Sequence, residues 1–154
     1  MKIYPGMLVT FEGGDGSGKS THVGLFGNYL DSQGMQFFTT REPGGTEYSE
    51  AVRALTKDPR YADKSEISEL MLFESARADI VQKCVIPALE QGKVVVMDRF
   101  YDSTVAYQSF GRGIPRNIVD SANRIASCGL VPDITFYMRV DPEIAFARRG
   151  GIEI

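Results

Sequence analysis

The chain has 154 residues, enough for one domain with a sizeable core. Hydrophobic residues make up 43% and charged residues 24%, the balance of an ordinary globular protein. Seventeen basic against 20 acidic residues give a net charge of −3. That excludes the basic excess of a dedicated nucleic-acid or membrane-surface protein, and no apolar run reaches the length of a membrane span.

The start, MKIYPGMLVTFEGG, is like a signal peptide only superficially: its apolar stretch is short and runs straight into glycines without a small-residue cleavage site. Residues 7–13, MLVTFEG, predict a buried strand. Residues 18–33 carry Val23, Phe26 and Leu30 at helical spacing and stop at Gly34, a glycine C-cap. Residues 35–40, MQFFTT, predict a second strand, and REPGGT (41–46) a loop. Thr46 can cap a helix running to about Thr56, and 57–65 is a polar loop. A long helical pattern runs from Ser65 to Glu90, with Pro87 expected to bend or end it. KVVVMD (93–98) is the most apolar strand, continuous enough to be buried on both faces. Helices are predicted over 102–110 and 115–128, a strand over 133–140, and a helix over 141–149 with Pro142 in its first turn. The two cysteines, Cys84 and Cys128, lie far apart in helix-like apolar patterns. They are expected to be buried free thiols, which suits a reducing cytoplasm.

Strands alternating with crossovers long enough for parallel pairing predict an α/β fold in one domain, a parallel sheet flanked by helices. No internal repeat or low-complexity segment is present.

Residues 12–21 read EGGDGSGKST, and Gly13-x-x-x-x-Gly18-Lys19-Ser20 matches the P-loop pattern between a strand and a helix. Glycines let backbone N–H groups of 13–18 converge on phosphate oxygens, and the following helix directs its positive end at the same place. Lys19 supplies a mobile charge and Ser20 a hydroxyl for Mg²⁺. The loop holds an acid, Asp15, and no base except Lys19, so further positive charge must come from elsewhere. Asp98 and Arg99 end the most apolar strand, and in open α/β sheets ligands sit at the carboxyl ends of strands. Asp98 can hold Mg²⁺ or its water and Arg99 can clamp a phosphate; a structural ion pair between them is the alternative.

Phe73 and Arg77 stand four apart on the long helix and share a face. A ring beside a five-donor group suits an aromatic base. Taken alone, the plainer reading holds: Phe73 in the core, Arg77 solvated or paired. Asp102, Ser103, Thr104, Tyr107 and Gln108 form a dense polar run, or equally a helix start followed by exposed residues. The single histidine, His22, has no second ligand nearby and reads as a surface residue.

Together these pieces resemble the thymidylate kinases, which phosphorylate dTMP to dTDP in dTTP synthesis. The resemblance runs from Gly6 to about Arg149 through five phrases: FEGGDGSGKST, REPGGT with Arg53 downstream, LFESARAD, DRFYDSTVAYQ, and GLVPDITFY followed by VDPE. It implies a P-loop NTPase-type fold, ATP with Mg²⁺ as donor, dTMP as acceptor and a homodimer, in the cytoplasm, without nucleic acid or membrane as partner. It gives the donor phosphates to Gly13, Gly14, Asp15, Gly16, Ser17, Gly18, Lys19, Ser20 and Thr21, with Ser20 and Asp98 at the metal. It gives the acceptor to Asp15, Pro43, Arg53, Phe73, Arg77, Arg99, Ser103, Thr104, Tyr107 and Gln108. Phe73 would stack on thymine, Arg77 would bond the base, Arg53 and Arg99 would hold the acceptor phosphate, and Tyr107 would lie beneath the deoxyribose. Asp15, Lys19, Arg99 and Arg149 carry the catalytic roles.

Gly16 and Ser17 stand where some family members place an arginine. The resemblance therefore points to the bacterial kind, whose arginine comes from a lid, here beginning near Arg148–Arg149–Gly150. The family continues with the rest of that lid, a fifth strand and a final helix, so a chain cut short at the lid is expected. Phe100, where the family often has tyrosine, and Arg139 are smaller departures. A nucleotide-binding remnant with weak turnover, or another deoxynucleotide kinase, are the competing readings.

Overall fold

The computed structural model describes residues 4–148. Four strands form one parallel sheet in the order β2-β3-β1-β4: β1 Met7–Glu12, β2 Phe37–Arg41, β3 Val94–Asp98 and β4 Ile134–Tyr137. The helices are α1 Lys19–Ser32, α2 Glu47–Lys57, α3 Glu66–Ile80, α4 Ile86–Glu90, α5 Tyr101–Thr104, α6 Arg116–Ala126 and α7 Pro142–Arg148. The α/β expectation and the four predicted strands are therefore borne out, with ends shifted by at most three residues.

Strand alternation divides the core. Leu8, Val95 and Met97 pack on one face with Ile80, Val81, Val85 and Leu89. Val9, Phe11, Val94 and Val96 pack on the other with Leu30, Val23 and Phe26 of α1. Strand β3 is buried over Val94–Met97, as its unbroken apolar run requires, whereas the edge strand β4 is exposed along its length.

Helix starts follow their caps. Thr46 Oγ1 accepts the Ser49 N–H at 3.0 Å and Ser65 Oγ accepts the Ser68 N–H at 3.2 Å. Pro87 does not end its helix. It has no N–H for the Lys83 carbonyl, and the chain widens into a π-helical stretch over Val81–Val85 before resuming as α4. A second π-helical stretch, Val105–Gly111, continues α5. Cys84 is half-buried and free, but Cys128 is exposed, against expectation. It falls just past α6 in a left-handed turn with φ 52°, so the helical spacing that suggested burial has already stopped. Among the described residues, no helix is long and apolar enough to cross a membrane.

The chain leaves β1 toward β2 on one side and leaves β3 toward β4 on the other. The gap at the carboxyl ends of β1 and β3 is thus the switch point of the sheet, where ligands settle in this class of fold.

Candidate active site

Two turns meet at that switch point. The first follows β1. Gly13 has φ 147° and Gly16 φ 81°, and a Cβ on Gly16 would lie 2.4 Å from the Ala145 carbonyl oxygen, so the turn accepts no side chain there. Lys19 is buried and folds back across the turn, donating to the carbonyls of Gly13 at 2.9 Å and Gly14 at 2.8 Å. Burial and then the neighbouring Arg99 charge push its ammonium below the ordinary lysine value. Ser17 is buried and Gly14 exposed. Exposed His22 approaches the Gly18 carbonyl with Nδ1 at 2.9 Å, as a surface residue would.

The second turn follows β3. Arg99 adopts φ 74°, a left-handed conformation rare for a side-chain-bearing residue. It is held there from several directions. Its N–H donates to the Phe11 carbonyl at 3.0 Å, and its guanidinium donates to the Gly13 carbonyl at 3.0 Å, to Ser103 Oγ at 2.9 Å and to the Asp15 carboxylate. The guanidinium also lies 5.5 Å from the centre of the Tyr107 ring. Arg99 thus pairs with Asp15 of the other turn, while Asp98 accepts a hydrogen bond from the Ser20 hydroxyl.

Glu12, which no motif singled out, binds the two turns together. Its carboxylate is buried and accepts the Phe100 N–H at 2.7 Å and the Ser103 hydroxyl at 2.6 Å. Burial pushes its carboxyl up, against those two bonds. Its place at the carboxyl end of β1 is the signal that would have found it.

A cavity of about 680 Å³ opens over the first turn, lined by Gly16, Gly18, Lys19, Ser20, Thr21, Asp98 and Arg148 among others. A second, of about 1000 Å³, adjoins it. All ten acceptor candidates line the second: Asp15, Pro43, Arg53, Phe73, Arg77, Arg99, Ser103, Thr104, Tyr107 and Gln108. Asp15, Glu42, Arg53 and Arg99 line both cavities. Arg149 lies outside the described residues; Arg148 lines the first cavity.

The alternatives left open by sequence resolve residue by residue. Phe73 is half-buried at the cavity wall and belongs to none of the buried core clusters. Tyr107 is exposed but Gln108 is only 3% exposed. Arg53 donates to the carbonyl of Pro43, the residue that follows the cis Glu42–Pro43 bond, at 2.9 Å.

Arg77 is paired more completely than a base-binding arginine needs to be. It is 3% exposed and donates to Glu42, Glu74, Asn123 and Thr104 at 2.8–2.9 Å through four of its five N–H groups, and Nη2 also lies 2.8 Å from the Glu42 carboxylate. A base carbonyl reaching it would share a donor already in use. Burial, opposed by the charge of Arg77, pushes the Glu42 carboxyl up to about 7. Burial also raises Glu74, again against Arg77. Arg77 itself is desolvated, yet the two carboxylates outweigh that and raise its value, so the guanidinium stays charged. One oxygen each of Glu42 and Glu74 accepts no hydrogen bond among the described residues.

The donor set at the first cavity fits Mg²⁺. Ser20 and Asp98 bring a hydroxyl and a carboxylate together beside the phosphate loop, hard oxygens of the kind this ion takes alongside nucleotide phosphates. Among the described residues, no cluster of three or more His, Cys, Asp or Glu could hold a metal ion on protein ligands alone.

Residues 11–153 match the family model described as thymidylate kinase. The chain is 49% identical over 143 residues to a thymidylate kinase of Prosthecochloris aestuarii, covering 93% of this chain and 64% of that protein. It is 48% identical to one of Chlorobaculum tepidum, covering 93% and 66%. The crystal structure of a thymidylate kinase from Ehrlichia chaffeensis superposes with a TM-score of 0.82 at 40% identity, covering 93% of this chain and 76% of that one. The chain thus spans a little under two thirds of the length of these two sequence relatives.

Proposed function

Because the chain belongs to the thymidylate kinase family, we propose that it takes part in ATP-dependent phosphorylation of dTMP to dTDP, the step that feeds dTTP synthesis. The observation that carries the reading is the pair of adjoining cavities with Asp15, Arg53 and Arg99 in the wall common to both. A donor triphosphate on one side and an acceptor monophosphate on the other would bring their phosphates together at that wall.

The chemistry asks little of a base. The acceptor phosphate is already an anion, and one of its oxygens attacks the γ-phosphorus of ATP in line, with ADP leaving. Catalysis is then positioning and charge neutralisation. Lys19 would swing from the Gly13 and Gly14 carbonyls onto the donor phosphates. Ser20 and Asp98 would hold Mg²⁺, which when bound draws charge from the donor phosphates. Arg99 and Arg53 would hold the acceptor phosphate, and Asp15 would keep Arg99 in place. Arg148, at the first cavity, and Arg149 are the lid arginines in this reading. Phe73 would stack on thymine, with Arg77, Thr104 and Gln108 around its edge, and Tyr107, Ser103 and Pro43 beside the sugar.

A homodimer in the cytoplasm completes the reading. The exposed Ile67 and Met71 of α3 support self-association, which a solution size measurement checks. The enzymatic claim is tested by incubating the protein with ATP, Mg²⁺ and dTMP and following dTDP by chromatography. One dTDP per ADP is expected; dTMP that binds but stays unphosphorylated would refute turnover by this chain.

A further inference from the structure

Glu69, Phe73 and Arg77 stand at successive four-residue steps on α3 and all line the acceptor cavity. The last two have roles in the proposed reading; Glu69 has none. It is buried, and its bonds are specific. Oε1 accepts Gln108 Nε2 at 3.0 Å and Arg112 Nε at 3.1 Å, and Oε2 accepts an Arg112 terminal N–H at 2.8 Å. Burial opposes its charge, but the bonds from Arg112 and Gln108 outweigh that and hold the carboxyl below its ordinary value.

An ionised carboxylate only accepts hydrogen bonds. The Gln108 amide must therefore turn its NH₂ toward Glu69; the flipped amide would set oxygen against oxygen. The Gln108 backbone is fixed as well, since its carbonyl accepts the Ile114 N–H at 3.1 Å. Gln108 lines the cavity, and its side-chain oxygen has no hydrogen-bond partner among the described residues. That oxygen is what the side chain has left to offer a ligand.

We propose that Glu69 is a positioning residue for specificity: by fixing the Gln108 amide it presents an acceptor to the base, and so selects a pyrimidine with N3–H over one with a bare ring nitrogen. The inference rests on the dTMP reading and deepens it. Thymine and uracil offer a donor at N3, which complements the Gln108 oxygen on the cavity wall. Cytosine offers the reverse polarity and would leave buried groups unpaired. The competing account is that Glu69 and Arg112 merely fasten α3 to the stretch after α5.

The test compares binding of dTMP and 5-methyl-dCMP, which share the methyl group, by titration calorimetry. Glu69→Gln keeps an acceptor oxygen and should leave the preference for dTMP within about threefold, whereas Glu69→Met removes it, frees the amide to rotate, and should lower the preference by about tenfold or more. An equal loss of both affinities in Glu69→Met, with the preference unchanged, would overturn the inference and leave the fastening account. Failure of the unaltered protein to bind dTMP would instead overturn the acceptor reading on which it rests. Should Glu69→Met not fold, the side-chain NH₂ signals of Gln108 in the unaltered protein decide. Protected, shifted protons, assigned by their loss in Gln108→Leu, are expected; protons exchanging as in free glutamine would overturn the inference.

Discussion

The backbone N–H of Phe100 donates to the Glu12 carboxylate at 2.7 Å, joining the strand that precedes the phosphate loop to the turn that carries Arg99. The same carboxylate takes the Ser103 hydroxyl at 2.6 Å, and Ser103 in turn accepts from Arg99. Glu12 never needs to touch a nucleotide to matter: it holds an arginine whose backbone sits at φ 74°.

Glu12→Gln keeps one acceptor and turns an NH₂ toward a partner. A buried hydrogen bond lost at one end costs about 1–3 kcal/mol, so dTMP affinity should fall roughly 5- to 150-fold. ATP affinity should change less, because the hydrogen bonds Glu12 accepts come from Phe100 and Ser103 of the second turn, and Lys19 is held by the Gly13 and Gly14 carbonyls. Separate titrations with dTMP and ATP check this; an equal loss for both would remove Glu12 from the acceptor side.

Arg77→Ala should first be a stability mutant. It strips a buried guanidinium from Glu42 and Glu74 and leaves uncompensated carboxylates, a change that costs about 3–5 kcal/mol in buried pairs. Urea denaturation measures it. An unchanged midpoint with weakened dTMP binding would mean that Arg77 acts on the base alone.

Glu42 gives the fold a pH dependence whose sign is fixed. Its folded value of about 7 lies above its ordinary value of 4.5, so the folded protein holds that proton more tightly than the unfolded chain does. The contribution is complete below the ordinary value, declines as pH rises toward 7, and is gone above it. Glu42→Gln removes the titration. The stability of the unaltered protein relative to this variant should therefore fall by up to about 3 kcal/mol between pH 4 and pH 8. Parallel curves for the two proteins would contradict the assignment.

Phe73→Ala should weaken dTMP binding by about 1–3 kcal/mol, the worth of one base–aromatic stack. Stability should move little, since the ring stands at the cavity wall outside the buried core clusters. Loss of stability without loss of dTMP binding would return Phe73 to the core.

What the sequence made legible follows from local physics. The phosphate loop needs glycines in one order, and the strand before it needs an apolar run, so EGGDGSGKST announces itself. Asp98 and Arg99 were readable because a charged pair that ends a buried strand projects into the crevice where ligands sit. Glu12 carried the same signal at the end of β1, but its partner, Phe100, and the partner of Glu42, Arg77, lie far along the chain and could not be read from it. Periodicity also fails where the helix changes pitch. Over Val81–Val85 and Val105–Gly111 the wide turns shift every later side chain round the axis relative to an α-helical reading. Cys128 misled for the opposite reason, its spacing continuing a helix that had ended.

The central claim is that two adjoining cavities form one site for two nucleotides, with Arg99 at their common wall. Its most direct test is a single ligand that fills both, thymidine and adenosine joined 5′ to 5′ through five phosphates. Calorimetry should show one such molecule bound per chain, displacing both dTMP and ATP, with affinity well above either alone. A ligand that displaced only one of the two nucleotides, or bound no better than ATP, would contradict the account.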